Sequence, residues 1–249
     1  MQILKELEVD LSGKKKSVLV GIPSTEDELD AMFTFRFDEY LRRDYIEQST
    51  HNQGKDIDEY DKQNRCVYFV ASVDNRLIGT VRLIQDTPLP TEKYFDFATP
   101  AEVALIKPEH RGELSRLIIT PLDRQNGLYL PRGLVRFVLL SVIVKYGLDN
   151  GIVGGYAFVK DSLLKKLASS NLPIHAINKF EVKYPKQGVL NKYFHQSFDP
   201  VTPVYFLTQE IHDYINIRTS RRPFRVGEGA KIFYEESILT KIYRFLKFA

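Results

Sequence analysis

The chain of 249 residues has one cysteine, two methionines and no tryptophan. A lone cysteine, Cys66, excludes an internal disulfide framework and fits a reducing compartment. It lies inside an apolar stretch, where an inert core thiol outweighs a nucleophile. An excess of one charge is also missing. The 35 Lys+Arg against 32 Asp+Glu leave a formal +3, too balanced for a nucleic-acid binder, which carries a basic excess on one element. The longest apolar run, "FVLLSVIV" at 137–144, is far shorter than the roughly 20 residues that cross a bilayer. The opening "MQILKELEVD" introduces charge at once, so no secretory leader is expected and the protein is expected to be cytoplasmic. There is no G-x-S-x-G elbow, no P-loop lysine and no histidine pair at metal-ligand spacing, so no metal site is expected. "GIVGGY" lacks the dinucleotide fingerprint and reads as strand packing. What remains for chemistry is carboxylates, arginines and backbone amides.

No repeat or low-complexity block divides the first 210 residues. In "PSTEDELDAMFTFRFDEYLRRDYI", Ser24 and Thr25 are cap candidates with Asp27 and Glu28 three residues beyond them, the spacing of a capping box. Leu29, Met32, Phe33, Phe37, Tyr40 and Leu41 then recur at helical intervals. Arg36 lies on that apolar stripe, where a charge is costly unless paired. "CVYFVASV" and "LIGTVRLI" read as strands joined at Asp74-Asn75 in a hairpin, and "GELSRLIIT" as a further strand. "PRGLVRFVLLSVIVKYGLDNG" is apolar almost all round and predicts a central helix. "IVGGYAFV", "PIHAI" and "PVYFLTQ" read as strands and "DSLLKKLASS" as a helix. This order points to an α/β (α+β) fold with a mixed central sheet flanked by helices. The main domain is expected over 1–210. Residues 211–249 read as a C-terminal extension ending in a basic amphipathic helix, with Lys241, Arg244 and Lys247 opposite Ile238, Ile242 and Phe245. Such a helix docks on its own domain or meets a membrane surface.

The segment "GKDIDEYDK" places Asp56, Asp58, Glu59 and Asp61 within six residues, just before a core strand. Asp58 and Asp61 stand three apart and share one side of a helical turn. Asp56 and Glu59 read as solvated. Arg36, Arg82 and Arg116 supply distant guanidinium partners, and Glu113 adds a carboxyl on a predicted strand.

Arg36 with Tyr40, "DIDEYD", Arg82 in "IGTVRL", and Glu113 and Arg116 in "GELSRLII" resemble, in order and spacing, one family pattern. It is that of the acyl-homoserine-lactone (autoinducer) synthases of quorum sensing and the related N-acyl amino acid synthases, branches of the GNAT superfamily of N-acyltransferases. The likeness spans roughly residues 30 to 120. A weaker one, in length and tail, is to acyltransferases associated with exosortase systems. The chain departs from the lactone synthases in lacking their tryptophan; Tyr45 or Ile46 falls nearest its place. It departs from users of acetyl-coenzyme A in the pyrophosphate loop, where "RQNGLY" starts suitably with Arg124 and Gly127 but ends in the bulky Tyr129.

The resemblance implies a GNAT-like sheet splayed at its central strand and acyl transfer from a thioester to an amine. No tightly bound cofactor is implied. The donor would be the acyl-phosphopantetheine of acyl carrier protein, and the acceptor a small amine, S-adenosylmethionine if the product is a lactone. Glu113 and Arg116 are the catalytic candidates. Arg36, Tyr40, Asp58, Asp61 and Arg82 would bind substrate. Ile118, Tyr156 and Phe158 would line the acyl-chain pocket, and Lys145, Lys165 and Lys166 would meet the carrier protein. Such chemistry needs a base for the amine proton and donors for the oxyanion, and burial would raise the pKa of Glu113. Residues three apart on a regular strand face opposite sides, so sharing a cleft requires a bulge between Glu113 and Ile118. The rival readings are a coenzyme-A-dependent acetyltransferase and a non-catalytic lipid- or membrane-surface-binding module.

Overall fold

In the computed structural model, residues 1–11, 14–48, 54–63, 65–120, 132–184, 191–220, 224–225 and 231–232 are described. The "RQNGLY" loop and the terminal basic helix expected after residue 232 lie outside them.

The chain opens with two long antiparallel strands, β1 (Gln2–Leu11) and β2 (Lys14–Ile22). Helix α1 (Glu26–Arg42) follows; Thr25 caps it and the Glu28 side chain returns to the cap backbone, closing the expected box. A single turn, α2 (Glu59–Lys62), precedes strands β3 (Cys66–Val73) and β4 (Arg76–Ile84). These two form a hairpin through Asp74 and Asn75, both at positive φ. That is the backbone a two-residue turn needs to match strand twist. After short helices α3 (Pro90–Tyr94) and α4 (Ala101–Ala104), with strand β5 (Phe95–Asp96) between them, comes β6 (Arg111–Ile119). Helix α5 (Arg132–Asp149), strand β7 (Gly154–Lys160) and helix α6 (Asp161–Ser169) complete the middle of the chain.

The rest is β8 (His175–Ala176), β9 (Glu181–Val182), α7 (Asn191–Phe194), β10 (Val201–Leu207), α8 (Thr208–Ser220), β11 (Phe224–Arg225) and β12 (Lys231–Ile232). The main sheet runs β11-β12-β1-β2-β3-β4-β6-β7-β10-β8, and β5 pairs with β9 apart from it. Every neighbour in the main sheet is antiparallel except β6 and β7. A mixed sheet with helices on its faces is the architecture the sequence predicted.

One face of the sheet packs on α5, whose Leu134, Val138, Leu139 and Ile143 are buried against Val18, Val20, Phe69, Val81 and Leu83. At roughly 1.5–3 kcal/mol for each fully buried large aliphatic, this layer dominates the stability. The opposite face is covered by α1 and the 85–110 connection, and it carries the charged groups. The boundary drawn at residue 210 falls inside α8, whose Ile211 and Ile215 are buried in the main core. Among the described residues, no helix is long and apolar enough to cross a membrane.

Candidate active site

Three arginines and three aspartates alternate in a closed ring on the α1 side of the sheet. Arg36 Nε donates to Asp56 (2.8 Å), and its two terminal nitrogens donate to Asp61 (3.3 and 3.1 Å). Arg82 bonds both Asp61 (2.7 Å) and Asp58 (2.7 and 2.8 Å). Arg116 closes the ring by bonding Asp58 (3.1 Å) and Asp56 (2.8 and 3.2 Å). Each guanidinium thus touches two carboxylates and each carboxylate two guanidiniums. Leaving any one of these charges buried and alone would cost several kcal/mol; alternation removes that penalty. Phe33, Tyr60 and Tyr40 lie 5.3, 5.8 and 5.4 Å from the guanidinium carbons of Arg36, Arg82 and Arg116, favourable cation–π distances.

Local structure explains the placement. Arg36 and Tyr40 come from the buried stripe of α1. Asp58 is the N-cap of α2, accepting from the amides of Tyr60 and Asp61, while Asp61 accepts from the Asp58 amide. The two are joined by a capping box as well as by arginines, where the sequence suggested two positions within one turn. Asp56 corrects the sequence reading outright. Expected in solvent, it is fully buried and bridges Arg36 and Arg116; its neighbour Glu59 is exposed. Tyr68, directly across from Arg82 on β3, donates to Asp61 (3.0 Å), and Ser115 accepts from Arg82 Nε (2.9 Å). Neither was singled out, although the period of two that places Tyr68 beside Arg82 is visible in the strand pattern. Burial pushes the Cys66 thiol up, in keeping with an inert role. For Asp58, burial opposes ionisation, but Arg116 and Arg82 outweigh it and hold the carboxyl well below the usual range. Its side chain is 17% exposed while those of Asp56 and Asp61 are at most 1%, so Asp58 is the carboxylate of the ring within reach of a ligand.

The expected bulge is present. Thr80 pairs with Ile118 and Arg82 with Ser115, so Arg116 and Leu117 together oppose Val81. Arg116 sits at φ +54°, a left-handed conformation that costs a non-glycine residue about 1–2 kcal/mol. Its bonds to Asp56 and Asp58 offset that cost.

Beside this bulge the sheet opens. The parallel ladder of β6 and β7 holds only Arg111–Gly154, Gly112–Gly155 and Glu113–Tyr156, and beyond Glu113 the two strands no longer pair. Gly155 permits the tight junction: a Cβ there would stand 1.7 Å from the Gly112 carbonyl oxygen. Glu113, at the fork, is fully buried. One carboxylate oxygen accepts from the Thr91 amide (2.7 Å), and the other has no hydrogen-bond partner among the described residues. Burial drives its pKa up to about 8, against the opposing pull of Thr91 and Arg82. Glu113 and Arg116 therefore share a sheet face without touching.

The acyl-pocket candidates are distributed over three apolar clusters. Ile118 packs with Phe37, Tyr40 and Ile46; Tyr156 with Leu89, Val103 and Ile177; Phe158 with Phe95, Phe194 and Val201. Tyr45 and Ile46, nearest the family's tryptophan position, line the same side, Tyr45 edge-on to both Tyr40 and Tyr193. Lys145 and Lys165 pair with Asp149 and Asp161 on their own helices. Lys166 is exposed. Among the described residues no cluster of metal-ligating side chains occurs.

Residues 31–153, just under half of the chain, match the family model described as N-acyl amino acid synthase FeeM. No curated protein matches the chain by sequence. Several solved structures share the fold. FeeM, an N-acyl amino acid synthase from uncultured soil microbes, is 15% identical with a TM-score of 0.54, over 79% of this chain and 93% of that one. The acyl-homoserine-lactone synthase LasI is 17% identical with a TM-score of 0.53, over 77% and 90%. BjaI, a coenzyme-A-dependent acyl-homoserine-lactone synthase solved with SAM and isopentyl-CoA, is 18% identical with a TM-score of 0.51, over 88% and 91%. At these identities the structures establish a shared fold. The family match bears out the resemblance read from the motifs and, with it, the reading as an acyltransferase.

Proposed function

We propose that the chain is an N-acyl amino acid synthase-like enzyme. It would move a fatty acyl group from the phosphopantetheine thioester of acyl carrier protein to the amine of an amino-acid-like acceptor. The observation that carries this reading is Glu113, a fully buried carboxyl at the fork of β6 and β7 with one oxygen that has no hydrogen-bond partner among the described residues. A thioester entering the fork would lie along peptide edges that the two strands do not spend on each other, which supplies candidate oxyanion donors. Glu113 takes the amine proton. The charged ring is its rigid wall, with Asp58 the candidate contact for the acceptor's ammonium before deprotonation. Arg116 serves by fixing the bulge beside the base. Arg36, Tyr40, Asp61 and Arg82 then hold the wall together and do not grip substrate themselves. Tyr156 and Phe158 bound the space along β7, and Ile118 bounds it along β6.

The runner-up product is an acyl-homoserine lactone, with S-adenosylmethionine as acceptor. It is favoured by the shared order of Arg36, Asp58, Asp61, Arg82, Glu113 and Arg116, and disfavoured by the missing tryptophan. Coenzyme A as donor is the remaining alternative, and tight binding of coenzyme A in calorimetry would favour it. The terminal basic segment, with Lys166, is proposed to face the acidic carrier protein or a membrane surface, and the enzyme is proposed to act in the cytoplasm.

Mass spectrometry of lipid extracts from cells expressing the protein tests the assignment. The wild type should yield a new N-acyl amino acid, and Glu113→Gln should abolish it, since a positioned base is worth about 10²–10⁴-fold. An acyl lactone in its place would transfer the assignment to the runner-up. No new lipid from a folded preparation, or equal yield from Glu113→Gln, would refute the proposal. Because the base must be ionised, turnover should rise with pH through about 8.

A further inference from the structure

Past the fork, the lips formed by β6 and β7 are bridged again by α7. Tyr156 is paired with Glu113 in the last rung before the strands part, so Tyr156, Phe158 and Lys160 alternate onto the face that carries Glu113. On the β6 side, Ile118 packs with Tyr40, and Tyr45 lies against them. Tyr193 of α7 spans the two. Its ring centroid is 5.1 Å from that of Tyr45, edge-on, and 6.3 Å from that of Phe158. Burial drives the Tyr193 phenol well above its ordinary value, with Tyr40 and Tyr45 adding to the shift, as befits a hydroxyl turned towards the β6 lip.

The bridge is fastened from both sides. Lys192 pairs with Asp44 at the end of α1, and Gln196 donates to the Asp44 carbonyl oxygen (2.8 Å). From β7, the buried Lys160 donates to the main-chain oxygens of Tyr193 and Asp199. Its ammonium lies 4.6 and 5.6 Å from the ring centroids of Tyr193 and Tyr45. Burying an ammonium is costly unless it is bonded; these contacts offset the cost and hold α7 across the opening. Phe158 lies two residues past the Glu113 rung and Lys160 four. At roughly 3.3 Å per residue, Tyr193 therefore crosses the space about 7–13 Å beyond the fork. An extended chain gains about 3.6 Å over three bonds, so about six to ten carbons reach that point from a carbonyl beside Glu113.

We propose that Tyr193, braced by Tyr45, is the end wall of the acyl-chain space and the residue that restricts this chain to donors of medium length. This rests on the proposed acyl transfer at the fork. Each methylene buried on the way to the wall improves binding about fourfold, and the first that does not fit costs about tenfold or more. A longer tail would have to lift α7, breaking its contacts with Asp44 and Lys160.

The test uses acyl carrier protein loaded with straight chains of graded length, mixed amino acids as acceptors and thiol release as the readout. Wild-type kcat/KM should climb with each carbon and collapse beyond about ten. Tyr193→Ala should raise kcat/KM about tenfold or more for the first chain that the wild type rejects. Tyr193→Phe should keep the wild-type limit, because the ring and not the hydroxyl forms the wall. Phe198→Ala, exposed on the turn after α7, should leave the profile unchanged. A second arm needs no turnover: calorimetry with S-alkyl pantetheines of the same graded lengths should show the same limit and the same shift in Tyr193→Ala. A wild-type profile that keeps rising with length, a limit that Tyr193→Ala leaves in place, or no binding at any length overturns the proposal. No thiol release at any length, with a binding limit that Tyr193→Ala moves, would instead refute acyl transfer and leave the end wall standing. Thermal melting checks each variant, and Tyr193→Leu takes the place of Tyr193→Ala if the alanine variant does not fold.

Discussion

Asp56 holds two guanidiniums at once, and its position shows how little local sequence says about a buried carboxylate. Its amide donates to the Phe33 carbonyl (3.1 Å), which pins the segment before α2 onto α1, and its side chain then meets Arg36 and Arg116. Replacing it with Asn leaves Arg36 and Arg116, whose side chains are almost wholly buried, short of negative charge. Asp56→Asn should therefore cost about 3–5 kcal/mol. Glu59→Gln, three residues on and exposed, should stay within about 0.5 kcal/mol. Urea titration monitored by circular dichroism would compare them; equal effects would mean the ring is not what holds this face together. In the sequence the two residues look alike, because what separates them is docking against a helix some twenty positions earlier. Arg36 was legible for the opposite reason. A charge on an apolar helical stripe contradicts the pattern around it, and burial with partners resolves the contradiction. Thr91 left no such trace, since a threonine in a proline-bearing connection violates nothing.

At the level of elements, what could be read were features with a fixed local period or turn chemistry. The Thr25–Glu28 box, the Asp74-Asn75 hairpin and the almost wholly apolar α5 all formed as their residues dictate. The bulge at Arg116 was inferred from geometry, because Glu113 and Arg116 otherwise point apart, and β6 carries it. The β1–β2 hairpin was not anticipated. Its charged residues mask an alternation that is nonetheless present, with Leu7 and Val9 buried and Glu6 and Glu8 exposed. The glycines of "GIVGGY" have a sharper meaning than strand packing in general. With 1.7 Å between a Cβ on Gly155 and the Gly112 oxygen, a methyl group there must push β7 from β6 at the rung next to Glu113–Tyr156. Gly155→Ala should lose about 1–3 kcal/mol or more. It should also impair turnover beyond what its melting temperature predicts, because it moves the fork. Steady-state kinetics at a temperature where the variant is fully folded would check this; normal kinetics would show that the rung tolerates widening.

For the whole molecule, the ionisable groups of the fork and its surroundings set a distinctive dependence of stability on pH. Glu113 has a folded pKa of about 8 against 4.5 unfolded. Between those values the unfolded chain has lost the proton that the folded state keeps, so stability falls as pH rises, by up to about 1.4 kcal/mol per unit. Asp58 behaves in the opposite sense. Its folded pKa lies well below the ordinary 3.8, so its contribution is complete above about pH 4 and drains away only as pH drops further. Lys160 is buried at the end of β7, donating to the main-chain oxygens of Tyr193 and Asp199. Burial lowers its pKa to about 8 from 10.5, against the opposing charge of Asp199. Above pH 8 the unfolded state is the one holding the extra proton, and stability climbs again. The three together predict greatest stability in mildly acidic solution and a minimum near pH 8. Thermal melting across pH 3 to 11 should trace that dip, and Glu113→Gln should flatten its acidic flank while leaving the alkaline rise in place. A variant that melts in parallel with the wild type at every pH would mean that Glu113 is not neutral in the resting protein. Its role as a base tuned by burial would then have to be abandoned, even if the enzyme transfers acyl groups.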